Sequence, residues 1–180
     1  SGNEGLLVTA EMGKMVATLV KTSDVLEELN IAGTSLTSTC LQAIIADLTE
    51  ASVRAMLKAQ DKQGLTALMW AVLEHDEACL RTLLDASEKA GVTEETLKAA
   101  DANGATALSL ASVKGHEACL RTLLDASENA GVTEETLKAA DANGATALSL
   151  ASVKGHEACL RALLDALEKA GVMEETLKAA

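Results

Sequence analysis

The chain has 180 residues, of which 48% are apolar, so it can bury a core and does not have the composition of a disordered sequence. It carries 27 acidic and 15 basic residues, and the formal charge of −12 would repel nucleic-acid phosphates and anionic membrane surfaces. We therefore expect no nucleic-acid partner. The sequence has one Trp and no Phe, Tyr or Pro, which favours a helical core filled by Leu and Ala.

The N-terminal segment, positions 1–60, is predicted to be a helical cap. Apolar residues three and four apart mark two amphipathic helices, the first at Met12, Met15, Val16 and Leu19 and the second at Val25, Leu26 and Leu29. The most apolar stretch, residues 6–20, is interrupted by two charges and is too short to span a bilayer. It also lacks the layout of a signal peptide, so we expect no membrane insertion.

The rest of the chain is an internal repeat of three units of equal length, 61–100, 101–140 and 141–180. The second and third units share 36 of their 40 positions, whereas the first differs from the second at 11 positions. Ten of those 11 differences lie between Lys62 and Asp76. Copies this similar indicate recent duplication or deliberate construction.

The sequence pattern of each unit predicts three helices. In the second unit, residues 101–104 (Asp-Ala-Asn-Gly) have the composition of a turn, and Thr106 is a suitable N-cap for a helix that ends at Gly115. A second helix runs from Glu117 to Gly131 with apolar residues at spacings of three and four. Thr133 and the two acidic residues after it are typical of the start of a short third helix.

The motif in these units resembles the ankyrin repeat, in which Asp-x-x-Gly-x-Thr is followed by Leu, Ala, Gly-His and Leu-Leu. The second unit matches it at nine positions: Asp101, Gly104, Thr106, Leu108, Ala111, Gly115, His116, Leu123 and Leu124. The resemblance implies an all-α, ankyrin-like α-solenoid of stacked helix-turn-helix repeats. An ordinary ankyrin repeat has about 33 residues. The units here are longer, so we expect an extra short helix in each and a shortened or lost β-hairpin.

The units also depart from the family pattern. Ala occupies the position of the usual Pro, and Met69, Ser109 and Ser149 occupy that of the usual His. In the first unit His75 stands where Gly is expected, which predicts local strain or a different loop. Residues 39–60 parallel the second half of a unit, so the cap, residues 1–60, is expected to end in a degenerate repeat that covers the first full one.

The residues that suggest chemistry have simpler structural interpretations. The equivalent positions of adjacent repeats lie about 8–10 Å apart, too far for a disulfide, which needs Cα atoms about 4.4–6.8 Å apart. We therefore interpret the four cysteines as buried small hydrophobes in an intracellular, reducing compartment, and the three histidines as structural caps. The paired glutamates suit helix N-termini, and residues 101–104 lack the later ligands of a calcium loop. These sets are Cys40, Cys79, Cys119 and Cys159; His75, His116 and His156; and Glu94/Glu95, Glu134/Glu135 and Glu174/Glu175.

We accordingly expect no enzyme, no cofactor and no metal site, but a module that binds a protein partner. By resemblance, the binding face consists of the loop tips and first helices. Its candidate residues are Lys62, Gln63, Leu65, Met69 and Trp70 in the first unit, and Asn103, Ser109, Asn143 and Ser149 in the next two. Packing against the cap is an equal alternative for Met69 and Trp70. The identical second and third faces favour two further alternatives, a structural spacer in a larger assembly and an amplified or engineered array without an evolved partner.

The third unit differs from the second by becoming more apolar, with Leu167 for Ser127 and Met173 for Thr133. The last unit of a solenoid normally has a polar outer face. We therefore expect Leu167 and Met173 to form a contact surface for further repeats, a second copy of the chain or a protein partner.

Overall fold

The computed structural model describes Gln42, Ile45, Ala46 and residues 48–172. Residues 48–172 form nine α-helices and no extended strand, and Gln42, Ile45 and Ala46 also have helical backbone. In chain order the helices are α1 (Glu50–Lys58), α2 (Ala67–Leu73), α3 (Glu77–Lys89), α4 (Thr93–Lys98), α5 (Ala107–Lys114), α6 (Glu117–Ala130), α7 (Thr133–Lys138), α8 (Ala147–Lys154) and α9 (Glu157–Ala170).

The predicted helix limits of the second unit are confirmed. The Thr106 hydroxyl accepts a hydrogen bond from the Ser109 N–H at the start of α5. Gly115 and Gly131 end α5 and α6 in the left-handed conformation, with φ of 73° and 71°. The third helix, α7, begins at Thr133, as its two carboxylates suggested.

The helices pack in layers, which confirms an all-α solenoid of stacked repeats. The first helices α2, α5 and α8 form one row, and the second helices α3, α6 and α9 form another behind it. The short α4 and α7 pack against the second row. The core between the rows consists mainly of Leu and Ala side chains, including Leu68, Leu108 and Leu148. Because the Ala side chains are small, neighbouring helices can pack close together.

Of the β-hairpin that the ankyrin resemblance implies between units, one residue pairing remains at each junction. Isolated antiparallel bridges join Gln60 to Thr66, Ala100 to Thr106 and Ala140 to Thr146. The hairpin is therefore shortened, as expected from the extra helix in each unit.

Helix α1 packs against α2, α3 and α4 of the first unit. The Arg54 side chain ties the two parts together, because its Nε donates to the Ala90 carbonyl over 2.7 Å. The amphipathic helices predicted from Met12 to Leu29, and Cys40, lie outside the described residues.

Candidate protein-interaction face

The turn that precedes each first helix is built around one carboxylate. Oδ1 of Asp101 accepts hydrogen bonds from the backbone N–H groups of Asn103 and Ala105, each over 2.8 Å. Gly104 completes the turn with φ of 79°, a conformation that is costly for a residue with a Cβ. Asp61 and Asp141 make the same pair of bonds in their own units.

In the first and third units these hydrogen bonds stabilise the charged form of the carboxylate. Burial raises the pKa of Asp61, but the hydrogen bonds from Leu65, Gln63 and Trp70 outweigh it and leave the pKa below its ordinary value. The pKa of Asp141 is lowered by the N–H groups of Ala145 and Asn143. The Asp residues therefore act as turn-forming groups that hold the loop tips.

Backbone hydrogen bonds fix the tips of successive units relative to one another. The Ala102 N–H donates to the Gln63 carbonyl over 3.0 Å, and the Ala142 N–H donates to the Asn103 carbonyl over 2.8 Å. The approach is so close that a Cβ built on Gly64 would lie 2.6 Å from the Ala102 nitrogen. The tips form one row whose spacing does not depend on their side chains.

The structure leaves part of the predicted face open. Lys62 and Gln63 are exposed at the first tip, and Asn103 and Asn143 are exposed at the next two. Trp70 is half-buried, and its indole Nε1 donates to Oδ2 of Asp61 over 3.0 Å. It therefore supports the first tip as well as presenting an edge to solvent.

Other residues of the predicted face are not accessible. Leu65 and Met69 are 7% and 1% exposed, and Ser109 is 3% exposed, so the expectation that they contact a partner is wrong for this fold. Met69 and Ser109 occupy the first turn of helices that are covered on both sides. The Ser109 hydroxyl donates to the Thr106 carbonyl, which satisfies its polarity inside the core. Ser149, at the equivalent place in the third unit, is half-buried.

The prediction for the third unit is also wrong at Leu167. Its side chain is fully buried in the core, so it contributes to the unit's own packing and offers no contact surface. Ser127 is equally buried. Its hydroxyl is satisfied there because it donates to the Leu123 carbonyl of the same helix over 2.8 Å. Leu167 therefore fills a position that was already internal. Met173 lies outside the described residues.

The histidines have a role that the sequence did not reveal. His116 and His156 occupy N-cap positions, but neither side chain makes a capping hydrogen bond. Instead, the His156 Nε2 donates to the Val113 carbonyl of the preceding unit over 3.0 Å, and the rings of His75 and His116 stack 4.1 Å apart. Each ring thus bridges two units.

The stacked pair has an electrostatic consequence. Burial, then the nearby charges of His75, Lys114 and His156, lower the pKa of His116. His75 itself adopts a left-handed backbone with φ of 57°, which confirms the expected strain where other units have Gly. The neutral form of His116 is therefore favoured in the folded stack.

Cys79, Cys119 and Cys159 are buried thiols, as predicted from their repeated position. Burial, the largest cause, raises the pKa of both Cys119 and Cys159, so their reactive thiolate forms are disfavoured. Among the residues that the structure describes, no group of three or more His, Cys, Asp and Glu side chains has the arrangement of a metal site. No helix in the same part of the chain is long and apolar enough to cross a membrane.

The fold and this face define the chain as an α-solenoid of stacked helical repeats that presents a row of loops. Residues 89–173 match the family model described as ankyrin repeats (3 copies). This match covers a little under half of the chain, and the segment is similar to ankyrin repeats, in agreement with the resemblance of the motif from Asp101 to Leu124. Ankyrin repeats generally mediate protein–protein interaction, and they form a non-catalytic family of interaction modules.

The comparison with curated proteins found no match. Among solved structures, the chain is similar to the ankyrin repeat domain of Bcl-3, a member of the IkappaB protein family. The two are 19% identical, the alignment covers 89% of this chain and 84% of that one, and the TM-score is 0.40. At these values the similarity establishes neither a common partner nor a common shape.

Proposed function

We propose that this protein is a non-catalytic adaptor or scaffold that holds a protein partner on its row of loop tips. The observation that carries the proposal is the backbone connection between tips, from Ala102 to Gln63 and from Ala142 to Asn103. Because main-chain atoms make these bonds, the exposed side chains at the tips are free for recognition. A pre-ordered row of this kind loses little conformational entropy when a partner binds.

The contact residues that we propose are Lys62, Gln63, Asn103 and Asn143, with the accessible edge of Trp70. Their chemistry suits a partner that offers hydrogen-bonding groups and a carboxylate opposite Lys62. The stack around them is acidic overall, which would weaken binding of acidic surfaces elsewhere on the solenoid.

Site-specific cross-linking tests the proposal. A photo-reactive amino acid is placed at Gln63, Asn103 or Asn143, and the matched control sites are Glu128 and Glu168, which are exposed on the second helices. The expected result is that one protein from the source cells cross-links to all three tip positions and to neither control. Equal cross-linking at the control sites, or none at the tips, would refute the proposed face.

Substitutions at the tips provide the second measurement. Lys62→Ala combined with Asn103→Ala should weaken binding of that cross-linked partner, because both side chains are exposed and the turn bonds use backbone atoms. Trp70→Ala is a poorer test, since it also removes the hydrogen bond to Asp61. Unchanged far-ultraviolet circular dichroism and an unchanged unfolding midpoint would show that the double variant keeps its fold.

A structural spacer remains the second candidate. The second and third units are identical at their tips, Ala102-Asn103 and Ala142-Asn143, and a face selected for one partner usually diversifies. If no partner cross-links to the tips while the chain cofractionates with a large assembly, the spacer is favoured over the adaptor.

A further inference from the structure

A groove of about 240 Å³, which we call the α3–α6 groove, lies between two neighbouring second helices. It belongs to the second row of helices, behind the first helices that follow the loop tips. Its volume is below the about 300–1,000 Å³ of typical small-molecule pockets, so it suits a single side chain better than a cofactor. The lining combines apolar and acidic side chains, namely Leu84, Ala126 and Ala130 with Asp85, Glu88 and Asp125.

The equivalent place one unit earlier is covered by side chains of the cap. The Arg54 Nε donates to the Ala90 carbonyl over 2.7 Å, at the C-terminal end of α3. The Gln42 Nε2 donates to the Thr82 hydroxyl of the same helix over 3.4 Å. Ala86 and Ala90 are consequently only 3% and 2% exposed.

The same positions of the second unit are open. Ala126 and Ala130 stand where the first unit has its two covered alanines, but both are half-buried. The residue 40 positions after Arg54 is Glu94, and its carboxylate pairs with Lys98 over 2.7 Å. Because a carboxylate has no donor, Glu94 cannot bind the Ala130 carbonyl as Arg54 binds its equivalent.

The charge of the α3–α6 groove favours a cation. Three exposed carboxylates line it against one guanidinium, that of Arg81, which pairs with Glu77 of its own helix over 2.6 Å. The Ala130 carbonyl lies at the C-terminal end of α6, where the helix dipole is negative. An arginine side chain can bind a carbonyl and a carboxylate together, because its planar guanidinium carries five N–H donors.

A similar groove between α6 and α9 is less suitable. Its volume is about 710 Å³, so it would hold a single side chain less closely. Lys169 lines it at the position that Asn129 has in the α3–α6 groove. The ammonium group of Lys169 would repel an incoming cation.

We propose that the α3–α6 groove binds an arginine side chain from a basic segment of a protein partner. The guanidinium takes the place that Arg54 has one unit earlier. It donates to the Ala130 carbonyl and to the carboxylates of Glu88 and Asp125, while the arginine stem lies on Ala126. This surface is separate from the loop tips, so the interaction adds a second contact to the one proposed there.

A second copy of this chain is a poor source of the arginine. The chain has four arginines, and one of them, Arg54, is held by the Ala90 carbonyl. Each of the others pairs with a glutamate four residues earlier, and these are Arg81, Arg121 and Arg161. The guanidinium is therefore expected from a different protein.

The first test titrates the complete, isotope-labelled chain with the blocked peptide Ala-Ala-Arg-Ala-Ala and follows its amide chemical shifts. The control peptide carries citrulline, the neutral isostere of arginine. The amides of Asp125, Ala126 and Ala130 should shift, with a dissociation constant at least about fivefold lower for the arginine peptide, since a charged donor makes stronger hydrogen bonds. Equal constants, or no saturable shifts in the groove, would overturn the proposal.

A matched pair of substitutions tests where the guanidinium lies. Glu94→Arg places the chain's own guanidinium at the equivalent of Arg54, so it should weaken binding of the arginine peptide at least about fivefold. Glu134→Arg makes the same change of charge one unit later and removes the same kind of ion pair, here with Lys138. It should change the constant less than about twofold, because exposed charges at that distance are screened.

Two outcomes of these variants contradict the assignment. Equal weakening by Glu94→Arg and Glu134→Arg, with unchanged circular dichroism in both, would show that the peptide responds to net charge and not to the groove. A parent chain that dimerises by sedimentation, and becomes monomeric with Glu94→Arg, would show that a second copy is the occupant.

Discussion

Replacing Gly64 by Ala measures how closely two neighbouring loop tips approach. A Cβ at Gly64 would lie 2.6 Å from the Ala102 nitrogen, and the backbone there has φ of 80°. Gly144 has almost the same φ, 79°, but nothing within 4 Å of its Cβ position. Gly144→Ala therefore isolates the cost of the backbone conformation, and Gly64→Ala adds the cost of the contact.

The two magnitudes follow from these distances. Gly144→Ala should cost about 1–2 kcal/mol, the usual penalty of a left-handed backbone for a residue with a Cβ. Gly64→Ala should cost about 1–3 kcal/mol more, because the two backbones must move apart. That movement lengthens the hydrogen bond from Ala102 to the Gln63 carbonyl, which itself stabilises the fold by about 1 kcal/mol.

Urea unfolding of the two variants and the parent provides the test, followed by circular dichroism and by fluorescence of Trp70. Trp70 is the only Trp of the chain, so its emission reports on the first unit. The midpoint should fall more for Gly64→Ala with an unchanged slope of free energy against urea. A difference below about 1 kcal/mol between the two variants would refute the close contact between tips.

Three further predictions concern the histidines and cysteines. Because the pKa of His116 is lowered from its ordinary 6.5, the contribution of neutral His116 to stability should be fully present above that pH and be lost as the pH drops below it, and His116→Gln should flatten this dependence in urea midpoints. Native Cys119 should react with a thiol reagent far more slowly than the unfolded chain, as mass spectrometry of timed samples can measure. His75→Gly should change the unfolding free energy by less than about 1 kcal/mol, since relief of the left-handed strain offsets the lost ring stacking.

Each of these has a contrary result. Stability that does not change between about pH 7.5 and about pH 5 would show that His116 titrates as freely in the fold as in the unfolded chain. Labelling of Cys119 at the unfolded rate would contradict the stacked core. A large loss of stability in His75→Gly would mean that stacking on His116 outweighs the strain.

The helices were predictable because each boundary depends on residues close to it in the sequence, and these residues recur from unit to unit. The Thr that caps the first helix and the Gly that ends the second act through bonds within a few residues, as at Thr106 and Gly131. The bridging histidines were not predictable in this way. His156 contacts Val113, 43 residues earlier, and that distance depends on how two units stack.

Polarity misled the interpretation of small residues. Ser109 and Ser127 look like surface residues in the sequence, yet both are buried and their hydroxyls donate to carbonyls of their own helices. The replacement of Ser127 by Leu167 in the third unit therefore suggested an exposed apolar residue, although the two side chains occupy the same buried position in their units. A Ser hydroxyl can donate a hydrogen bond to a carbonyl of its own helix, so its polarity does not show whether the residue is buried or exposed.

The groups that hold the loop tips in place are different from the exposed side chains that vary between units. Ten of the 11 differences between the first two units lie between Lys62 and Asp76, and some of these, such as Met69, change the core. At the tips, however, Lys62 and Gln63 replace Ala102 and Asn103 while the turn keeps the same carboxylate bonds. Because the tips are held by Asp and by backbone atoms, their exposed side chains can change without altering the row, as a recognition surface requires.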